Sequence, residues 1–187
     1  IVDSLLLASL RSAREQVPSP AAVLRQVGAA LYESLRKRMH DEQMVSVLLL
    51  RHDGGGKVTF SGNLPLLLLY RDGPRSVEQL EVDRSGLAVS TQLDEKLSDR
   101  SVQLSAGDAL ILLTDGITDA HNHQGVRLQP ERLSSEIVNT ARTGTAAELR
   151  DHLLDVVSDY VGTPSRDLTV VVLRCDPATS KSQQGSK

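Results

Sequence analysis

The run Leu110-Ile111-Leu112-Leu113 ends in Thr114-Asp115-Gly116, with Ile117, Thr118 and Asp119 directly after it. An apolar stretch of strand length that stops on a carboxylate sets Asp115 at the mouth of a buried strand. Gly116 lets the backbone turn sharply there or come close to a ligand. A carboxylate held by a rigid strand suits binding of a hard cation or acid–base work. Read alone, Asp-Gly is also a common turn pair, and the plainer account of Asp115 is a solvated strand end.

Other constellations carry less. His121 and His123 flank Asn122, and alternate residues of an extended segment share a face, but no third ligand stands nearby, so the segment reads as a polar loop. Gly54-Gly55-Gly56 lacks the following helix that a phosphate loop requires and reads as a hairpin turn. Ser98, Ser134 and Ser135 have no His and Asp in a recognisable triad setting. His40, with Asp41 and Glu42, reads as a solvated connection. Cys175, beside Arg174, reads as a passive thiol.

The elements that must position Asp115 follow from periodicity. Val2, Leu5, Leu6 and Leu10 give residues 1–16 a helical rhythm. Ser19 is a good N-cap with Pro20 at the first helical position, and a second helix is predicted to run to about Arg38, burying Val23, Leu24, Val27, Leu31 and Leu35. Its basic end, Arg36-Lys37-Arg38, suits the helix dipole. Strands are predicted over Val45–Arg51, Lys57–Ser61, Leu66–Tyr70, Ala109–Thr114 and Leu168–Arg174, with turns at Asp53–Gly56 and Asp72-Gly73-Pro74. Residues 76–104 read as short strands and loops. Two helices are predicted near 129–141 and 145–160, the second opened by a Thr145/Glu148 capping box and buried through Leu149, Leu153, Val156, Val157 and Tyr160. Antiparallel hairpins with segregated helices give an α+β fold. The chain is predicted to form one domain over 1–175, followed by a disordered tail over 176–187 rich in Ser, Gln and Lys.

Composition removes several function classes. In 187 residues the net charge is −3, which supplies no broad attraction to nucleic acid or anionic membrane. One Phe, three Tyr and no Trp leave little for base stacking, so the core is aliphatic. No apolar run reaches the length of a membrane span. A lone cysteine excludes an internal disulfide and Cys-based zinc sites, and fits a reducing, cytoplasmic location.

Taken in order, several segments resemble the SpoIIE/RsbU/RsbX branch of the PPM (PP2C-like) metal-dependent serine phosphatases. They are Gln43–Leu49, Val58–Leu68 with Gly62-Asn63, Gly86-Leu87-Ala88-Val89, Thr114-Asp115-Gly116-Ile117-Thr118-Asp119-Ala120, and Arg166-Asp167-Leu168-Thr169 before the last apolar strand. The resemblance spans about residues 1–175 and rests on the ordered set. It implies a sandwich of two antiparallel β-sheets flanked by helix pairs, in α-β-β-α layers. It also implies hydrolysis of phosphoserine or phosphothreonine on a regulatory protein, such as a STAS-like anti-sigma-factor antagonist in a bacterial stress or sporulation circuit. The family's cofactors are two Mn2+ or Mg2+ ions, which at about 3.5–4 Å separation acidify a water and clamp phosphoryl oxygens. By resemblance Asp115 and Gly116 belong to the metal site, Asp119 matches an acidic position that helps a third metal in some members, and Asn63 falls where other members carry Asp.

Two departures accompany it. The family places a D-x-S-G-H-G metal segment before the helix that residues 1–16 match, so that segment is expected to be missing, leaving an open sheet edge that favours a homodimer. In the terminal motif, counting back from Thr169, Arg166 stands at the metal-ligand position and Asp167 beside it; a one-residue slip would bring Asp167 into place. An arginine about 4 Å from a metal costs on the order of 4 kcal/mol per unit charge at an effective dielectric of 20. The alternative to an enzyme is therefore a degenerate pseudophosphatase that serves as a protein-binding signalling module.

Overall fold

Alternating apolar residues in the strands create two faces per sheet, and each face finds a different partner. The computed structural model describes residues 19–35, 44–82, 87–88, 97–161 and 166–176. The predicted helix over 1–16, the basic triplet 36–38, the His40 connection, the flanks of the Leu87-Ala88 stretch and the tail beyond Asp176 lie outside the described residues.

The chain begins with helix α1 (Pro20–Leu35), then β1 (Met44–Val45), β2 (Leu48–Gly54), β3 (Lys57–Gly62), β4 (Leu66–Arg71), β5 (Ser76–Gln79), β6 (Leu87–Ala88), β7 (Arg100–Gln103) and β8 (Ala109–Leu113). After β8 come α2 (Asp115–Thr118), α3 (Pro130–Ala141), α4 (Ala146–Val161) and β9 (Val170–Arg174). Among the described residues the strands form a three-stranded antiparallel sheet ordered β2-β3-β7, a four-stranded antiparallel sheet ordered β5-β4-β8-β9, and a small β1-β6 pair.

The layers follow from side-chain alternation. Val58, Phe60, Val102 and Leu104 of the first sheet pack against Leu67, Leu69, Leu110 and Leu112 of the second. The other face of the second sheet, through Leu68, Tyr70, Ile111 and Leu113, packs on Leu133 and Ile137 of α3 and Leu149, Leu153 and Val157 of α4. On the far side, Ala21 and Leu24 of α1 meet Leu97, Val47 and Leu49. This is the predicted layering of helix, sheet, sheet and helix. One helix of the pair expected over the first sheet is described.

Local signals explain the helix boundaries. Ser19 Oγ accepts the Ala22 N–H at 3.2 Å as the predicted N-cap, and Asp99 Oδ1 accepts the Ala21 N–H at 2.8 Å. At the start of α4, Glu148 Oε2 accepts the Thr145 N–H at 2.6 Å and Thr145 Oγ1 accepts the Glu148 N–H at 3.2 Å, the reciprocal capping box read from the sequence. The Gly54–Gly56 segment closes the β2–β3 hairpin with φ of +92°, +55° and +81°, a run of left-handed conformations that only glycine adopts readily.

Three boundaries differ from expectation. The strand predicted over Val45–Arg51 is interrupted at Ser46-Val47, where the chain passes from pairing with β6 to pairing with β3, the Val47 carbonyl accepting the Asn63 N–H at 2.8 Å in register with the second ladder. The final strand starts at Val170, two residues later than predicted, with Thr169 still bonded to Thr114 just past the ladder. The residues after Leu113 form a one-turn helix, α2, in place of an open turn.

The end of the second sheet remote from Asp115 is tied by one buried carboxylate. Asp108 Oδ1 accepts the Asp72 N–H at 3.0 Å, Oδ2 accepts the Ser105 N–H at 3.0 Å and the Arg71 guanidinium at 2.9 Å, and the Asp108 carbonyl accepts the Cys175 N–H at 2.9 Å. Burial pushes this carboxyl up, but the two backbone N–H groups and Arg71 outweigh it and hold it below its ordinary value. Its contribution to stability is complete above the unfolded carboxyl value of about 3.9 and is lost as pH falls through the lower folded value. Asp108→Asn is expected to cost about 1–3 kcal/mol in urea unfolding at pH 7, with the gap to wild type closing as pH falls below about 4. A gap that stays constant over that fall contradicts the assignment.

Candidate functional site

Asp115 and the Arg166–Thr169 segment meet because β8 and β9 are neighbours in the sheet. The ladder pairs Leu113 with Val170, and past that pair the Thr114 N–H donates to the Thr169 carbonyl at 3.3 Å while the Thr169 N–H donates to Thr114 Oγ1 at 3.2 Å. The two segments stay in contact for another turn. Gly116 is buried, and a Cβ built on it would collide with the Asp167 carbonyl oxygen. Glycine at 116 therefore serves close backbone approach between the end of β8 and the segment entering β9, rather than a left-handed turn.

On this platform Asp115 opens α2 and Asp119 caps its C-terminal end. Four residues apart on a helical turn, they share a side. Arg166 Nη1 lies 2.8 Å from Asp115 Oδ2 and 3.4 Å from Asp119 Oδ2. Arg127 Nη2 lies 2.9 Å from Asp119 Oδ1, and its Nε donates to the Thr118 carbonyl at 2.6 Å. Two carboxylates and two guanidinium groups thus form an exposed, charge-balanced quartet. Tyr160 braces the Arg127 loop, its hydroxyl donating to the Val126 carbonyl at 3.0 Å.

Of the sequence-predicted residues, Asp115, Gly116, Asp119 and Asp167 lie at this corner, Asp167 being placed by its backbone contact with Gly116. Asn63 stands in the β3–β4 connection, and β4 begins with Leu66 paired to Leu113, so that connection is at the same end of the sandwich. It is Arg166, at the position counted back from Thr169, whose side chain spans Asp115 and Asp119. Asn122 forms a turn, its Oδ1 accepting the N–H groups of Gln124 and Val126 at 3.0 and 2.9 Å, while His121 Nδ1 lies 2.5 Å from the Asp119 carbonyl. The His121 and His123 loop is thus a folded connection. Arg127 was not anticipated; its partner is eight residues upstream in a loop, and no periodicity announces such a contact.

A two-ion centre requires more free carboxylate than the corner offers. Among the described residues no group of three His, Cys, Asp or Glu side chains is placed to hold a metal. The two acids that converge are already shared with Arg166 and Arg127. The described residues, as arranged, do not fit the two-ion group that the resemblance implies.

The sequence matches the family of Stage II sporulation protein E (SpoIIE) over residues 2–176. The chain belongs to the SpoIIE family. Solved structures establish that this SpoIIE-family chain has the PP2C phosphatase fold. It is similar to the SiaA PP2C domain of Pseudomonas aeruginosa, with a TM-score of 0.74 and 24% identity over 94% of this chain and 69% of that one. It is similar to the phosphatase domain of the cell-fate determinant SpoIIE from Bacillus subtilis in a manganese-soaked form, with a TM-score of 0.60 and 21% identity over 94% and 76% of the two chains. It is also similar to the Mycobacterium tuberculosis serine/threonine phosphatase PstP, with a TM-score of 0.67 and 14% identity over 94% and 82%. No curated protein matches the sequence. Among the described residues no helix is long and apolar enough to cross a membrane.

The close approach at Gly116 is open to direct test. Gly116→Ala forces the Asp167 backbone to move and is expected to lower stability by about 1–3 kcal/mol in urea unfolding. An unchanged midpoint and slope would show that the two segments are not in contact.

Proposed function

We propose that this SpoIIE-family domain hydrolyses phosphoserine or phosphothreonine on a regulatory protein, with the reaction centred on the corner built from Thr114-Asp115-Gly116 and Arg166–Thr169. The observation that carries the reading is the family match across nearly the whole chain, joined to a fold that delivers its two most family-like motifs to one corner. Mn2+ or Mg2+ is the cofactor this activity calls for, and a PstP catalytic domain was solved in complex with two manganese ions. The chain's own residues supply a carboxylate at Asp115, a second at Asp119, and guanidinium groups at Arg127 and Arg166 whose remaining N–H groups could donate to phosphoryl oxygens. A phosphoprotein with a STAS-like fold, acting as an anti-sigma-factor antagonist, is the substrate class that the family relationship supports.

One observation favours a second reading. The ion pairs from Arg166 to Asp115 and Asp119 occupy the acids that a metal would need, which suits a pseudophosphatase that binds a signalling partner without turning it over.

Hydrolysis of a phosphoserine peptide and of p-nitrophenyl phosphate, assayed with millimolar MnCl2 or MgCl2, separates the two. The enzyme reading expects metal-dependent turnover that Asp115→Asn reduces by about 10²–10³-fold, the scale seen when one group stabilising transition-state charge is removed. Absence of turnover together with retained phosphoprotein binding favours the second reading.

A further inference from the structure

The Asp115 corner carries its own cation. Arg166 Nη1 bridges one oxygen of Asp115 and one of Asp119, at 2.8 and 3.4 Å, and so stands between the two carboxylates that a divalent ion would have to join. Its delivery is not accidental to a long, free side chain. The backbone immediately after it is stitched down, with the Asp167 carbonyl packed on Gly116 and Thr169 bonded to Thr114 in both directions. Arg127 draws on the remaining Asp119 oxygen, so the acidic pair is matched in charge.

We infer that Arg166 is a tethered counter-cation that stands where a divalent ion would have to join Asp115 and Asp119, and so keeps this corner from holding one. The inference rests on the reading of the corner as the phosphatase's cation side. A guanidinium and a divalent ion cannot share the gap between the two carboxylates, because like charges at such separations repel strongly. Replacing Arg166 relieves the block at little cost to the fold: the Arg166 and Asp115 side chains are 57% and 58% exposed, and exposed ion pairs are weakly held. In this chain the corner is thus closed to a divalent ion while Arg166 stays between the two carboxylates.

Manganese binding to the full 187-residue chain, followed by the electron paramagnetic resonance signal of free Mn2+, tests this without reference to turnover. Arg166→Ala is expected to bind Mn2+ about tenfold more tightly than wild type, Arg166→Lys to stay close to wild type because the charge is kept, and Arg166→Ala with Asp115→Asn to lose the gain. Arg166→Gln serves as the second neutral variant should Arg166→Ala fold poorly, with circular dichroism confirming the fold. Equal or weaker binding by the neutral variants overturns the inference, as does a gain that survives Asp115→Asn. If the gain appears while no variant hydrolyses phosphopeptide, the block by Arg166 stands and the phosphatase reading falls.

Discussion

The approach of two backbone segments past the end of the β8–β9 ladder is the constraint on which the rest of the corner depends. Thr114 and Thr169 extend the pairing by one residue, and Gly116 then admits the Asp167 carbonyl where any side chain would block it. Without that approach, Arg166 would leave the sheet on a different path and Asp115 would face solvent alone. Side-chain electrostatics here is a consequence of main-chain fit. The strand core makes the fit reliable: Leu110, Ile111 and Leu113 are fully buried, and β8 is packed on both faces between β4 and β9.

The fold was legible because its signals are local and repetitive. Val58/Phe60 against Thr59/Ser61, or Leu67/Leu69 against Leu66/Leu68, put alternate residues on opposite faces, and both faces are buried by different layers. The Thr145/Glu148 box and the Ser19 cap are contacts within one turn and are encoded as spacings. What escaped is of another kind. The break at Val47 comes where the chain changes strand partner from β6 to β3, and the Arg127–Asp119 pair depends on how a loop folds back over Tyr160. Such contacts have no period. The Arg166 contact lies between: the motif count placed an arginine at the metal-ligand position, but that its side chain reaches both Asp115 and Asp119 follows only from the one-turn helix that the sequence did not announce.

The chain therefore combines two tendencies. Its core and its family relationship are those of a phosphatase domain, whereas the charge arrangement at the expected centre is closed on itself. Two acids balanced by two guanidinium groups are electrostatically quiet, and a quiet corner is poor at concentrating divalent cations. Asp108, at the other end of the sheet, shows the contrast: there a buried carboxylate is satisfied by backbone N–H groups and one arginine and serves architecture alone.

The position of β8 in the sheet order has a consequence for the history of the molecule during synthesis. Its neighbour β4 lies about forty residues earlier, but its other neighbour, β9, comes close to the end of the described chain. Until Val170–Arg174 has left the ribosome, one flank of the strand bearing the acidic corner has no ladder partner. The corner is accordingly among the last parts of the domain to mature, and a nascent polypeptide stopped at α4 would display β8 as a bare, aggregation-prone edge.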